Sequence, residues 1–463
     1  MKEERHPPMD IQISRARRKR LLIWIYGLTL LYYVLKQVYF AVWVGGFPDQ
    51  LAHLSYLAYL SDHPTLFPDF RSIPYGVAKG EEAGLAILKL RPGTVNNMIH
   101  PPLYYLILNL FAGVQKVARR TYAIDIMRLR AMNILLSSTT VILAFRLGYT
   151  RLKDRPPLVH ALYALAIATL PMFAYVGASL NNDNLAYFAL VIFFTGLLRY
   201  SEGKEDLKTY LLVGVGFLIG SFSKLTTALL CLIMLGVTFV MSVIRTKSLK
   251  LILNKWFLLT LPCYLLFLVY ELHVKRTCGA WQPSLLDLNP EYYYTTVFYV
   301  PPENRVPMTF LQYVRTFAEG IGYSWSSLYC HNAEVTRIMK NLGWGVVYWV
   351  PVAAAIFAGG RSLVRRDGDR LSLPVALGFL GTLAYHFYSN WKGYPVSGYL
   401  GALQARYYLG MIVPLAFLMC SRVVPLFERR KTLGRVLAGI LIAGWIAGDA
   451  IRLVIFYGFP AGA

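Results

Sequence analysis

Residues 15–44 read RARRKRLLIWIYGLTLLYYVLKQVYFAVWV, which is a basic cluster followed by an apolar run that contains one charge, Lys36. About 20 predominantly apolar residues are enough for a helix to cross a bilayer. Comparable runs recur to the end of the chain, so the sequence predicts a polytopic helical membrane protein. The basic cluster predicts that residues 1–20 form a cytoplasmic tail, because Lys and Arg favour the cytoplasmic side of a span.

The composition agrees with a membrane location. Of the 463 residues, 56% are hydrophobic and 15% are charged, whereas roughly 25% of residues are charged in an ordinary soluble domain. The net charge of +23 matches the excess of cations on cytoplasmic loops. Five cysteines are too few for a disulfide framework. A disordered chain, a disulfide-rich secreted fold and a soluble nucleic-acid-binding domain are excluded, and no nucleic-acid partner is expected.

We predict an all-α, polytopic protein with about 11 transmembrane helices, within a range of 10–13, that form one membrane-embedded domain over residues 1–463. The segment 101–118 is not counted, because its apolar run from Leu103 to Val114 is short for a span. Leaving it out also keeps five basic loops in the cytoplasm. Two large outside loops result, 45–131 with an acidic motif and interfacial helices, and 273–342. The predicted spans are 21–44, 132–149, 157–176, 184–200, 210–222, 225–244, 256–272, 343–359, 373–389, 407–423 and 436–458.

Two carboxylates lie at predicted outside turns. Asp49 follows Pro48 ahead of a predicted helix, with His53 one turn later on the same face. Asp183 is the acidic residue of the turn SLNNDN. Such a carboxylate can accept a proton from a hydroxyl, but Asp is also a favoured helix N-cap. Capping and a shared acidic site therefore both remain open.

Several cations are predicted on the same side, where the positive-inside rule disfavours them. A single such residue usually extends its charge to the membrane surface, whereas a group of arginines suits phosphate, because the guanidinium fork matches two oxygens. A phosphate at this surface indicates a lipid head group or a lipid-linked substrate. Cys278 and Cys330 also lie outside and are candidates for a disulfide. The cations are His100, Arg119, Arg120, Arg128, Arg130, Lys224 and Arg406.

The order of these motifs resembles C-type (GT-C) integral-membrane glycosyltransferases of the protein O-mannosyltransferase and aminoarabinose-transferase type. Pro48-Asp49-Gln50 and the later His100-Pro101-Pro102-Leu103 match the opening motifs. SLNNDNLAYF, SKLTTALL and QARYYLGMIVPL resemble the second acidic motif, the lysine segment and the Gln-Gly-Arg-Tyr stretch of a bacterial branch. Family members often have Glu where this chain has Gln50, and the Trp-Trp-Asp motif of oligosaccharyltransferases is absent from the sequence.

The resemblance implies transfer of a sugar from a polyprenyl-phosphate donor to a hydroxyl of a glycan, lipid or protein, with inversion, at the outer face of a bacterial plasma membrane. Segment 103–114 would line a groove for the lipid tail. No cofactor is required, and a divalent metal stays open. The implied catalytic residues are Asp49 and Asp183. The implied phosphate ligands are Lys224, Arg406, His100, Arg128 and Arg130, and the implied substrate-binding residues are His53, Tyr104, Tyr105 and Tyr407.

Two other functions remain open. A polymerase or ligase that uses a diphosphate-linked glycan also has many spans and outside cations, but it lacks an acidic motif after the first span. A transporter of a lipid-linked substrate typically has internal repeats and charges near the middle of the membrane. The polar clusters at one face and the absence of clear duplication in the sequence favour the transferase.

Overall fold

The computed structural model describes residues 15–44, 47–82, 84–111, 113–328, 344–365, 369–401, 403–428 and 430–458. Most of this part of the chain is helical. Short 3-10 or π segments precede or interrupt the later helices, at Trp344–Trp349, Ala405–Met411 and Met419–Val423. The helices are α1 Arg15–Trp43, α2 Gln50–Asp62, α3 Leu103–Asn109, α4 Ile126–Arg151, α5 Pro157–Ala168, α6 Pro171–Ala178, α7 Asp183–Ser201, α8 Leu207–Ser221, α9 Leu225–Thr246, α10 Lys255–Cys278, α11 Leu285–Leu288, α12 Pro290–Tyr293, α13 Phe310–Ser326, α14 Val350–Arg365, α15 Ser372–Ser397, α16 Ile412–Leu418, α17 Val424–Glu428 and α18 Lys431–Gly458.

Each of the eleven predicted spans overlaps helical segments, but the helices in the described residues that qualify as spans are fewer than the predicted 10–13. Eight helices in the described residues are long and apolar enough to cross a bilayer, and α5 with α6 makes a ninth candidate, bent by 53°. The bend lies at Pro171, which has no N–H for the helical ladder. Of the other two predicted spans, α8 has only 15 residues, and α15 carries polar groups such as Lys392 in its second half. The chain is therefore a multi-pass membrane protein.

The first large loop contains two short helices, α2 and α3, and a small sheet beside the candidate site. α3 has seven residues, about 10 Å of helix, so segment 101–118 does not form a spanning helix. α2 packs against α3 and against a four-stranded antiparallel sheet. This sheet was not predicted from the sequence, because its strands have only four to seven residues and the edge strand β3 has no buried face. The strands are β1 Gly76–Glu82, β2 Leu85–Leu90, β3 Gln115–Ala118 and β4 Thr121–Asp125, in the order β1-β2-β4-β3.

The second large loop contains α11, α12 and α13. Cys278, at the last residue of α10, is buried. Cys330, its predicted disulfide partner, lies outside the described residues.

A buried ion pair connects the first helix to the last one. The Nζ of Lys36 in α1 lies 2.6 Å from the Oδ2 of Asp449 in α18, and both side chains are only 1% exposed. Lys36 also donates to the Ala168 carbonyl oxygen at 2.9 Å, and the Tyr32 hydroxyl donates to Asp449 at 2.6 Å. A charge inside a membrane is stable only with a partner, so this pair fixes α18 against α1.

We expect Lys36→Met to lower the free energy of unfolding by about 3–5 kcal/mol, because it removes the cation that is bonded to the buried Asp449. The double variant Lys36→Met/Asp449→Leu should recover only part of this loss, because it removes the uncompensated carboxylate but leaves the nearby buried cation of Arg452 without it. The measurement is the thermal unfolding of the purified protein in detergent, followed by tryptophan fluorescence. An unchanged midpoint for the single variant would show that the pair does not hold these helices together.

Candidate active site

Asp49 occupies the N-cap position of α2 without acting as a cap. Its φ is 60°, in the left-handed region, and its side chain makes no capping hydrogen bond. Instead, the carboxylate accepts a hydrogen bond from the Nη2 of Arg406 and stays 31% exposed. A left-handed conformation is strained for any residue but glycine, and such strain is concentrated at functional sites. The capping alternative therefore does not describe this carboxylate.

Asp183 forms a second carboxylate–cation pair. It is the first residue of α7, and its Oδ1 lies 2.5 Å from the Nζ of Lys224. The side chain of Asn181, rather than that of Asp183, accepts the local backbone N–H bond, at 2.9 Å. The other carboxylate oxygen, Oδ2, is buried and has no hydrogen-bond partner in the described structure. It is therefore an acceptor that a ligand hydroxyl could use.

Tyr407 brings the two pairs into one cluster. The Nζ of Lys224 lies 4.6 Å from the centroid of the Tyr407 ring, and the guanidinium carbon of Arg406 lies 5.5 Å from the same centroid. The Arg406 carbonyl oxygen accepts a hydrogen bond from the Tyr187 hydroxyl at 2.6 Å, which attaches this segment to α7. Two carboxylates and two cations thus meet where α2, α7, α9 and the 405–411 segment begin.

The charges of the cluster perturb Asp49 and Lys224 differently. Burial raises the pKa of Asp49, but the charge of Arg406 and the hydrogen bond from it outweigh burial, so the pKa lies below its usual value. Burial lowers the pKa of Lys224 below its usual value, against the opposing effect of Asp183. Asp49 is therefore ionised and held by Arg406 when no ligand is bound.

Two neutral histidines complete the cluster. The Nδ1 of His53 lies 2.8 Å from the Tyr105 hydroxyl, and both side chains are buried. Burial lowers the pKa of His53 to about 3 in spite of the nearby Asp49 carboxylate. Burial and the charge of Lys224 also hold the pKa of His100 well below its usual value, and the His100 Nδ1 has no hydrogen-bond partner in the described structure. These imidazoles add no positive charge at neutral pH.

Three predicted site residues have other surroundings. Arg130 is buried over the Phe47 ring and donates to the Ala41 carbonyl oxygen at 2.7 Å and to the Gln50 side chain at 3.1 Å. It therefore fastens the end of α1 to the start of α2. Arg128 is exposed and lines a groove beside α3 rather than the cluster. The Tyr104 hydroxyl donates to the side chain of Asn133 at 2.8 Å. Asn133 in turn contacts the asparagine turn, residues 181–184, which carries Asp183.

Sequence reasoning did not single out the amides that position Asp183. Asn133 accepts a hydrogen bond from Asn184 at 2.9 Å, in addition to the one from Tyr104. Asn182 donates to the Ser223 carbonyl oxygen at 2.8 Å, which joins the Asp183 turn to the turn that carries Lys224. The detectable signal was Asn133, a polar residue inside a predicted span, because such residues are functional candidates by default.

The residues of the cluster do not fit a divalent metal ion. Each carboxylate is already paired with a cation of the protein. The residue after Asp49 is Gln50, an amide rather than a second carboxylate, and its side chain accepts a hydrogen bond from Arg130. Among the residues that the structure describes, no group of three His, Cys, Asp or Glu side chains could hold a metal ion.

No protein-family model and no curated protein sequence matches the chain. Two crystal structures of the oligosaccharyltransferase from Archaeoglobus fulgidus are similar to it. The first, a complex with Zn and sulfate, has a TM-score of 0.52 at 10% identity and covers 95% of this chain and 53% of that one. The second, tethered to an acceptor peptide with the NVT sequon, has a TM-score of 0.50 at 13% identity and covers 95% and 56%.

This chain therefore spans about half the length of those proteins. At such low identity, the similarity shows the fold alone. The chain has the GT-C fold, and the resemblance drawn from its motifs is confirmed at that level.

The low pKa of His53 predicts a loss of stability in acid. Between about pH 6.5 and pH 3, the unfolded chain binds a proton at this histidine that the folded chain does not. The free energy of unfolding therefore decreases as the pH is lowered, by about 1.4 kcal/mol per pH unit for one histidine. We expect His53→Gln to lose about 2 kcal/mol less than the wild type between pH 6.5 and pH 5.

Thermal unfolding at each pH provides the measurement. His63→Gln is the matched control, because His63 is exposed just after α2. If His53→Gln and the wild type show the same pH dependence, His53 is not the buried neutral group described above.

Proposed function

We propose that this protein is an integral-membrane glycosyltransferase that transfers a sugar from a polyprenyl-phosphate donor to an acceptor hydroxyl at the outer face of a bacterial plasma membrane. The observation that carries the proposal is the cluster of two carboxylate–cation pairs where the spans begin, within a GT-C fold. The cluster supplies both a base and fixed positive charge, which are the two needs of the reaction.

Arg406 and Lys224 are the proposed ligands of the donor phosphate. The Nη2 of Arg406 binds Asp49, while its Nε is buried without a hydrogen-bond partner in the described structure. A phosphate oxygen can accept from that Nε and from the Lys224 ammonium. Fixed cations in a site with little water stabilise the negative charge that grows on the leaving phosphate.

Asp49 is the proposed general base. Its carboxylate is partly exposed, so an acceptor hydroxyl can reach it, and the second hydroxyl of a sugar can donate to the Oδ2 of Asp183. The acceptor oxygen attacks the anomeric carbon while the bond from that carbon to the phosphate oxygen breaks. Asp49 receives the proton and the polyprenyl phosphate leaves with the electron pair. Attack opposite the leaving group inverts the anomeric centre through an oxocarbenium-like transition state.

Donor binding prepares the base in this mechanism. The guanidinium of Arg406 holds the pKa of Asp49 below its usual value in the ligand-free site. The singly charged phosphodiester of the donor competes for the same guanidinium, so its arrival weakens the pair and raises the pKa of Asp49. A base is most effective when its pKa lies closer to the working pH. Asp49 therefore becomes a better base only when a donor is present.

The groove beside α3 is our candidate path for the lipid chain. It has a volume of about 710 Å³, and its apolar lining includes Leu106, Ile107 and Leu110. Arg128 lies at the same groove, where its charge suits an anionic lipid. Tyr105, on the other face of α3, contacts the cluster through His53.

The proposed acceptor is a hydroxyl of a glycan, lipid or protein rather than an asparagine amide. One of the similar structures carries an acceptor peptide with the NVT sequon. This sequence contains no Trp-Trp-Asp motif of the oligosaccharyltransferase kind, and a hydroxyl is the group that a carboxylate base can deprotonate as it attacks.

We expect Asp49→Asn to slow sugar transfer by a factor of about 10²–10⁴, because the amide cannot accept the proton. The measurement is the release of free polyprenyl phosphate from a panel of polyprenyl-monophosphate sugars by the purified protein. Asp62→Asn is the matched control, because Asp62 ends the same helix and is also paired with a cation, Lys116. It should retain the wild-type rate.

The donor panel separates the alternatives. Wild-type transfer by Asp49→Asn would remove Asp49 from the mechanism. Turnover of diphosphate-linked glycans alone would indicate the polymerase or ligase. Counterflow of a lipid-linked substrate in proteoliposomes, without a covalent product, would indicate a transporter.

We expect Arg406→Lys to raise the KM for the donor by a factor of about 10–100, because it removes one charged hydrogen bond to the phosphate, worth about 1.5–3 kcal/mol. Steady-state kinetics with varied donor provide the measurement. Arg422→Lys is the control, since Arg422 pairs with Asp369 at 3.0 Å, away from the cluster. An unchanged donor KM for Arg406→Lys would assign the phosphate to another residue.

A further inference from the structure

A second polar cavity lies at the other end of α2 from the candidate active site. Its volume is about 430 Å³, and its walls come from the end of α2, the β3–β4 hairpin and residues 90–95. Because α2 has 13 residues, the cavity is about 20 Å from Asp49 along the helix. The proposed transfer reaction does not use it.

The cavity is strongly basic. Arg71, Lys116, Arg119 and Arg120 line it, whereas Asp62 is the one carboxylate in the lining. That carboxylate is already neutralised, because it accepts from Lys116 at 2.5 Å and from the Tyr122 hydroxyl at 2.8 Å. The three arginines therefore contribute positive charge that the lining does not balance.

The backbone at Arg120 has a defined conformation beside the cavity. Arg119 and Arg120 form the two-residue turn between β3 and β4, and Arg120 has a φ of 60°. Glycine adopts this conformation without a steric penalty, whereas the Cβ of another L-residue is crowded by the neighbouring carbonyl oxygen. The Leu90 N–H donates to the Arg120 carbonyl oxygen at 2.8 Å and fixes the turn against the end of β2. The side chain of Arg120 therefore starts from a backbone of defined conformation at the edge of the cavity.

We infer that this cavity binds a phosphate-bearing ligand, separately from the proposed donor site. Guanidinium groups match phosphate oxygens in pairs, and three solvent-accessible arginines line this cavity. Tyr59, which is only partly buried, also lines the cavity and offers an aromatic face to the sugar or glycerol that bears the phosphate. The ligand is either the phosphate of a soluble or glycan-linked group or the head group of an anionic phospholipid, which share this chemistry.

The test is isothermal titration calorimetry, in which inorganic pyrophosphate is added to the full-length protein in detergent. We expect Arg120→Gly to lose one bound pyrophosphate per chain, or at least tenfold in affinity at that site. Its unfolding temperature should be equal to or above that of the wild type, because glycine relieves the backbone strain. A merely structural role for Arg120 would change stability without changing binding.

Lys247→Gly is the matched control. Lys247 is also an exposed cation with positive φ, 51°, but it ends α9 and does not line the cavity. It should gain the same relief of strain and bind pyrophosphate like the wild type. Arg406 and Lys224 are unchanged in both variants, so the difference between the variants reports on the cavity alone.

Two further measurements identify the source of the phosphate and provide a replacement variant. The pyrophosphate titration is repeated in nanodiscs of phosphatidylcholine and in nanodiscs of anionic phospholipid. If the Arg120-dependent binding is seen in phosphatidylcholine but is lost in anionic phospholipid, a lipid head group is the ligand. If it is seen in both, the ligand is a soluble or glycan-linked phosphate. If Arg120→Gly does not fold, Arg119→Gln replaces it. Equal pyrophosphate binding by the wild type, the hairpin variant and Lys247→Gly would overturn the inference. Polyprenyl-phosphate release tests the donor site separately, so either proposal can fail alone.

Discussion

A charge that is buried away from water is stable only beside an opposite charge, and this constraint organises the structure at two levels. Within the spans, Lys36 and Asp449 hold the first helix to the last. Where the spans begin, Asp183 meets Lys224 and Asp49 meets Arg406. The partners in each pair come from distant parts of the chain, so the electrostatic requirement also brings the elements of the candidate site together.

The two pairs of the cluster are not equivalent, and the difference suits the proposed chemistry. Asp183 and Lys224 are both almost completely buried and are held by the asparagine turn, so they are a rigid part of the site. Asp49 is partly exposed, has a strained backbone and is paired with an arginine that retains a buried donor without a partner in the described structure. Only this second pair can exchange partners when an anionic donor enters. Because the histidines beside it are neutral, the positive charge of the cluster lies on Lys224 and Arg406.

The membrane fold was largely predictable from the sequence. Each apolar run that was predicted to span overlaps helical segments, and all but two of these are long and apolar enough to cross a bilayer when the bent pair is counted as one span. The burial of an apolar side chain in lipid does not depend on which neighbouring residue it contacts. The sheet in the first large loop was not predicted, since its short strands become stable only through pairing and through packing against α2. Among the residues proposed from the motifs, Asp49, Asp183, Lys224, Arg406, Tyr407 and both histidines lie in one cluster, whereas Arg128 and Arg130 lie elsewhere.

The sequence by itself determined that the chain is a multi-pass helical protein and which polar residues lie at the ends of spans, because hydropathy and residue type are local properties. Only the tertiary structure decided which carboxylate pairs with which cation, that Arg130 donates to the Ala41 carbonyl oxygen and the Gln50 side chain, and that Arg120 has a left-handed conformation in a turn at a basic cavity. These outcomes depend on distances of a few ångströms between residues that are far apart in the chain, and the spacing of residues along a sequence does not contain those distances.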